Sequence, residues 1–473
     1  MMHIQGENRH QAMLFPESLD ELIGEDHLIR VIDLYVSQLD LAQLGFDKVQ
    51  TATKGRPPYA PGDLLKLYLY GYLNRVRSSR RLEAECQRNI EVMWLLGRLV
   101  PDHKTIANFR KDQAQGIQGV CKDFVQFCRR VGLIGADLVA IDGSKFQAVA
   151  SRNSAITEAD LARREAALQE RIAHYLSQLD QADHQYEEPI DTAAVGKALE
   201  QLRQQQTRIE AQRNVFKGTR RTHQIEGEPQ ARMVKDGQGR SFAGYNVQSA
   251  VDSRHKLIVH HDVVSQGNDQ HQLLPMARSV QQVLGKEQIK IVADAGYSNG
   301  LHLFECEQAG IIPYVAPHRA GNPSGKAFFD RTLFKYDPVT DSFDCPAGMK
   351  LIRKQVSQID RITIYVGQTC GECALKSKCT KAAQRMVSRH FDHDSFERAS
   401  ARLTLEPQIM RQRKAIVEHP FGNLKRWIFG DARYLVRGLT KVQTETALAV
   451  LAYNLRRVIN LLGVQTMKQY LTA

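Results

Sequence analysis

No apolar run in these 473 residues approaches the ~20 needed to cross a bilayer. The longest one near the C-terminus is Ala447–Tyr453. The start, MMHIQGENRH, is polar and has no apolar segment behind it, so no secretory leader is expected. These two absences point to a cytoplasmic chain without a membrane partner. A Walker A loop is also missing, which argues against built-in nucleotide hydrolysis of that type. Acidic side chains are fewer than basic ones, 52 against 64, for a net charge of +12. That balance favours a polyanionic partner, most simply nucleic acid, because bound Lys and Arg release phosphate counterions.

The chain begins with helical patterns. Leu28, Val31, Ile32, Tyr35, Val36 and Leu39 recur at helical spacing, with Asp26 as the expected N-cap. Pro61–Arg77 reads as a buried helix with a basic end. Shorter helices follow at Ser79–Gln87, at Ile90–Leu96, and from Pro101-Asp102-His103-Lys104 onward. Residues 1–132 are therefore expected to form a helical domain. Short helices, tight connections and outward Arg and Lys suit a helix-turn-helix array on DNA; they equally suit a plain helical domain with solvated cations.

A β-rich core is expected over 133–317. A helical hairpin at 155–215 interrupts it, read from Leu161, Leu168, Ile172, Tyr175 and Leu179, then Val195, Leu199, Leu202 and Ile209. Strands are expected at Ser241–Asp252 and Leu257–Val264. Gly267-Asn268-Asp269 is expected to cap a helix through Leu273, Met276, Val280 and Val283. A strand to Asp294, a helix at Leu301–Gln308 and a strand at Ile311–Ala316 follow. This order predicts a mixed α/β sheet rather than a doubly wound one. Residues 318–400 read as a second insertion, with short strands at Leu333–Tyr336 and Ile362–Val366. Residues 401–473 read as core helices, one at Glu406–Phe429 and one at Gln443–Leu462.

Two apolar strands run into aspartates. Leu138–Ile141 ends at Asp142 and is punctuated by Gly143 and Ser144; Ile289 onward ends at Asp294. Glu418 lies on a helix rich in cations. Carboxylates on rigid elements are the donors that Mg²⁺ prefers, and two ions about 3.5–4 Å apart can activate an attacking oxygen and stabilise a leaving one. Taken singly, each Asp reads more readily as a turn former beside Gly143 or Gly296. Lys425 follows Glu418 by two helical turns on the same face, placed to orient a phosphate or to face solvent. Trp427 reads as core packing in preference to a base-stacking platform.

DGSKFQAVASRN from Asp142, ADAGYSN around Asp294 and VEHPFGNLKRW around Glu418 together resemble the DDE transposases of bacterial insertion sequences. LFPESLDELIGEDHLIR and PDHKTIANFRK resemble the helical N-terminal domain of that group. The spacing from Glu418 to Lys425 resembles the second half of the group's Tyr-Arg-Glu-Lys signature; the positions of its Tyr and Arg hold Arg411 and Lys414. The resemblance covers nearly the whole chain, in order. It implies a ribonuclease H-like core with an insertion before the Glu-bearing helix, and Asp142, Asp294, Glu418 and Lys425 as catalytic residues. It further implies two Mg²⁺ or Mn²⁺ ions held by the three carboxylates. The partners it implies are terminal inverted repeats and target DNA, bound by a homodimer in the bacterial cytoplasm at the nucleoid. Water would cut the element's end, and the freed 3′-hydroxyl would attack the target. A catalytically inactive DNA-binding regulator and a metal-dependent nuclease without strand transfer are the competing readings.

Eight cysteines divide in two. Cys86, Cys121, Cys128 and Cys306 are scattered and read as small buried hydrophobes. Cys345, Cys370, Cys373 and Cys379 fall in the second insertion, where Cys370-Gly371-Glu372-Cys373 has the spacing of half a tetrahedral zinc site. Structural Zn²⁺ on these four, with His390 and His393 as substitutes, stands beside reduced, unligated thiols.

Overall fold

The computed structural model describes residues 18–50, 57–184, 192–218, 221–317 and 328–473. Among them the chain opens with helices α1 (Leu28–Ser37), α2 (Pro61–Leu73), α3 (Ser79–Arg88), α4 (Ile90–Leu95), α5 (His103–Asp112) and α6 (Ala114–Arg130). The α1 N-cap is His27, whose Nδ1 accepts the Ile29 N–H at 3.3 Å. Asp26, the expected cap, instead accepts from the Gln465 side chain at 2.5 Å. Helix α2 starts on Pro61, whose missing N–H costs nothing in a first turn. It ends four residues before the expected Arg77, because Arg75 takes a left-handed conformation at φ 62°.

Strand β1 (Val139–Gln147) opens the sheet. The first insertion follows: β2 (Ala155–Ile156), the long helices α7 (Glu158–His184) and α8 (Thr192–Lys217), and β3 (Gln224–Ile225), which pairs with β2. Leu161 of α7 and Phe216 of α8 bury a small cluster at its base with Ile156. The sheet resumes with β4 (Arg232–Lys235), β5 (Ser241–Asp252) and β6 (Ile258–Val264), then α9 (Leu273–Leu284), β7 (Ile289–Ala293), α10 (Gly300–Gln308) and β8 (Ile311–Val315). Its order is β4-β5-β1-β7-β8, with β6 also on β5. Strands β4, β5 and β6 run antiparallel to their neighbours, whereas β7 is parallel to β1 and β8 to β7. This is the mixed sheet that the order of elements predicted.

The second insertion forms its own five-stranded antiparallel sheet: β9 (Lys335–Asp337), β10 (Ser342–Asp344), β11 (Lys350–Ser357), β12 (Ile362–Gly367) and β13 (Met386–His390), with the short helix α11 (Lys376–Cys379) between the last two strands. The chain returns through α12 (His393–Leu405) to α13 (Pro407–Gly422) and a π-helical stretch at Asn423–Ile428. The expected single helix Glu406–Phe429 is thus one α-helix, α13, that runs into a wider π-helical turn. Glu406 separates α12 from α13, and Pro420 lies inside α13. Helix α14 (Leu439–Leu462) and α15 (Val464–Thr472) end the chain.

One continuous apolar core runs from α1 through the main sheet to α15, so the N-terminal helices share it with the sheet. Helix α14 packs against α2, α5, α6 and β6. A buried ion pair seals that junction. Arg77 Nη1 lies 2.7 Å from Glu445 Oε1, while its guanidinium also donates to the Phe429 and Arg433 carbonyls. Trp427 packs against the core, with the Arg456 guanidinium 3.9 Å from its ring centroid. No single helix among the described residues is long and apolar enough to cross a membrane.

Candidate active site

The expected break after Asp142 does not occur. Strand β1 continues through Gly143 and Ser144 because β5 pairs with it along its whole length, Asp142 opposite Ser249 and Gly143 opposite Gln248. On the other side, β7 pairs only with the first half of β1, Val139 with Ile291 and Ala140 with Val292. The same offset carried two residues further sets Asp142 beside Asp294, just past the end of β7. Neighbouring strands lie about 4.8 Å apart, so the two aspartates are held side by side at the mouth of a rigid sheet.

Asp142 is largely buried. Its Oδ1 accepts the Gly143 N–H at 2.9 Å, and its Oδ2 lies 3.6 Å from Arg413 Nη1. Burial pushes its pKa up to about 6; Arg413 pulls against that shift, while Asp294 and Asp269 add to it. Asp294 Oδ1 accepts the Gly296 N–H at 2.8 Å and heads the short turn at Ala295–Tyr297.

A third carboxylate joins them. Asp269 was expected to cap α9, yet that helix begins at Leu273 with Gln272 as its N-cap. The Asp269 side chain turns onto the sheet instead. Its Oδ1 accepts from Asn246 Nδ2 at 2.7 Å and Gln248 Nε2 at 2.6 Å, and lies 3.5 Å from Lys145 Nζ. The opposite side of Gln248 accepts the buried Tyr297 hydroxyl. This network requires a glycine at 143, since a Cβ there would meet Asp269 Oδ1 at 2.4 Å and Gln248 Nε2 at 2.5 Å. Burial lowers the Lys145 ammonium pKa against the pull of Asp269, Asp142 and Asp294. Lys425 behaves alike: burial lowers its pKa, and Asp142 opposes that.

Glu418 does not stand with the aspartates. On α13 the buried residues Ile409, Ile416, Val417, Pro420 and Phe421 form one stripe, and Arg413 falls on it, four residues from both Ile409 and Val417. Glu418 falls off the stripe, is 63% exposed, and pairs with Lys414 at 3.6 Å. The π-helical stretch carries Lys425 inward, its Nζ 5.4 Å from the Phe146 ring centroid, so it shares surroundings with Asp142 and no longer follows the two-turn spacing from Glu418. Arg413, Lys145 and Asp269 were missed in the sequence. A lone Arg on the apolar stripe of α13 was the signal for the first.

The donor chemistry here fits a hard divalent cation. Two carboxylates side by side repel each other, and a cation between them would offset both that repulsion and the burial of Asp142. Among the described residues, however, no three His, Cys, Asp or Glu side chains stand close enough to share one ion. The four insertion cysteines also converge, around a separate small cavity that His390 and His393 do not line.

Comparison with known proteins gives matches in both halves. Residues 17–112 match the family described as Transposase domain (DUF772). Residues 206–455, more than half of the chain, match the family described as Transposase DDE domain. Asp294 and Glu418 lie inside that segment, whereas Asp142 precedes it and joins through the sheet. No curated protein matches. Among solved structures, the piggyBac transposase in a cryo-EM synaptic complex with hairpin DNA aligns over 94% of this chain and 79% of its own, at 9% identity and a TM-score of 0.35.

Proposed function

The chain belongs to the Transposase DDE domain family, and from that premise we propose that Asp142, Asp294 and Glu418 are its catalytic carboxylates, cutting DNA at insertion-sequence ends and joining the freed 3′-hydroxyl to target DNA. As a DDE-type transposase it belongs to a family that uses divalent metal. Mg²⁺ or Mn²⁺, as two ions, is the cofactor we assign. When bound, these ions supply positive charge at the oxygens of the phosphodiester under attack.

The observation that carries this reading is the side-by-side position of Asp142 and Asp294 on neighbouring parallel strands. Arg413 offsets the Asp142 charge in the ion-free chain. Lys145 and Lys425, both drawn electrostatically to Asp142, offer cations to a phosphate. The Asp269–Gln248–Tyr297 network holds the floor beneath them rigid. Glu418 lies little more than one turn beyond Arg413, on a helix that packs across β1, β5 and β7. In this reading its exposed carboxylate joins the aspartates when DNA and ions bind. The basic N-terminal helices hold the terminal repeats, and the active form is a homodimer in the bacterial cytoplasm.

The test is cleavage of labelled DNA carrying the element's terminal repeats in Mg²⁺, with wild type beside Asp142→Asn, Asp294→Asn and Glu418→Gln. Wild type should cut, and each variant should bind without cutting. If Glu418→Gln cuts as wild type does, Glu418 leaves the site. If the aspartate variants cut, the whole assignment fails. If wild type binds the ends but never cuts, a DNA-binding regulator becomes the better account; cutting without strand transfer marks a nuclease.

A further inference from the structure

We propose that Cys345, Cys370, Cys373 and Cys379 form a structural Zn²⁺ site that staples the second insertion. Three separate segments bring the thiols together. Cys345 opens the β10–β11 turn, in which the Gly348 N–H donates to the Cys345 carbonyl at 2.8 Å. Cys370 and Cys373 follow β12, and Cys379 ends α11. All four line one cavity with about 30 Å³ of free space, room for a single ion, and its remaining walls include Phe329, Phe334 and Leu351. The end of β12 is shaped for the thiol: a Cβ on Gly367 would meet Cys370 Sγ at 2.7 Å.

The surroundings call for negative charge. The Arg385 backbone N–H donates to Cys370 Sγ at 3.4 Å, the kind of bond that a thiolate strengthens. The Arg385 guanidinium donates to the Cys379 and Phe329 carbonyls, and its Nε is buried without a hydrogen-bond partner. It makes no ion pair with a carboxylate among the described residues. Four thiolates around Zn²⁺ carry a net charge of −2, which this cation would partly offset.

The insertion has only a small core of its own. Its core, separate from the main one, consists of Phe334, Phe343, Leu351, Tyr365 and Val387. Units of this size gain little from burial alone, and a metal is one of the staples that small folds add. The four thiols are free and stand around the cavity rather than in ligand contact, no three being close enough to share an ion as they lie. Binding would draw them to sulfur–zinc distances of about 2.3 Å. Each S–H bond is exchanged for an S–Zn bond, and four protons leave to solvent. With four protein ligands the site is closed, so its role is to brace the fold.

The experiment uses the full-length chain, expressed with zinc and purified without chelator. Metal analysis is run on wild type, Cys370→Ser and Cys373→Ser, and zinc release is followed as thiols are titrated with an organomercurial. One zinc per chain is expected in wild type, released as these cysteines react, and lost from both serine variants. Should the variants fail to fold, Co²⁺ added to the wild type freed of zinc should give the absorption of a tetrahedral tetrathiolate site. Wild type without zinc, zinc retained by both variants, Co²⁺ absorption of another geometry, or thiol counts that show disulfides would each overturn the proposal.

Discussion

Asp142→Asn should stabilise the ion-free protein while abolishing DNA cleavage. Burial is the main reason that the Asp142 pKa stands at about 6, against an ordinary 3.8. A carboxyl with a raised folded-state pKa opposes folding wherever it is ionised. The penalty is absent below pH 4, grows between pH 4 and 6, and is complete above that. A shift of about two units at 1.36 kcal/mol each makes it roughly 3 kcal/mol at pH 8. Asparagine keeps the shape and the oxygen that accepts the Gly143 N–H, and it carries no charge to desolvate. The variant should therefore melt a few degrees above wild type at pH 8 in EDTA, and the gap should close as the pH falls towards 4. Mg²⁺ should narrow the difference by stabilising wild type more than the variant. Differential scanning calorimetry over this pH range decides the matter. A variant that melts at or below wild type in EDTA at pH 8 would refute the claim that the fold holds Asp142 at a cost which a cation relieves.

Gly143→Ala should cost about 1–3 kcal/mol, because its Cβ displaces Asp269 and Gln248 from their network; urea denaturation reads this as a lower midpoint, and an unchanged midpoint would show that the network yields freely. Arg77→Ala should cost about 3–5 kcal/mol by taking the ion-pair partner from buried Glu445, which keeps the Leu435 N–H and the field of Arg110. Arg77→Met combined with Glu445→Leu should recover at least half of that loss, and a double variant no more stable than the single one would show that the pair contributes more than mutual neutralisation.

The local pattern of the chain was enough to foresee most elements. Ser241–Asp252 appears as β5, buried on both faces from Ala243 onward, and the apolar runs before Asp142 and Asp294 form β1 and β7. Apolar periodicity reports which side of a segment is buried, so such elements are legible. The cysteine cluster and the cation excess were likewise visible in composition.

What periodicity does not report is which segment lies beside which. Asp142 meets Asp294 only because β1 and β7, far apart in the chain, pair in parallel and β7 stops early. Gly143 and Ser144 look like a turn until β5 is laid along them. Asp269 has the local look of a helix cap, but its carboxylate accepts from the side-chain amides of Asn246 and Gln248, on a strand distant in the fold's wiring. Along α13, spacing alone favoured Glu418 and Lys425 as one face. The buried stripe chose Arg413 for Asp142, and the π-helical stretch rotated Lys425 away from Glu418. The chain's own pattern thus determined its elements and its chemical vocabulary of paired aspartates, clustered cysteines and excess cations. The sheet register and the rotation of one helix decided which of those groups meet, because a side chain's neighbours are set by contacts between distant segments that no local repeat encodes.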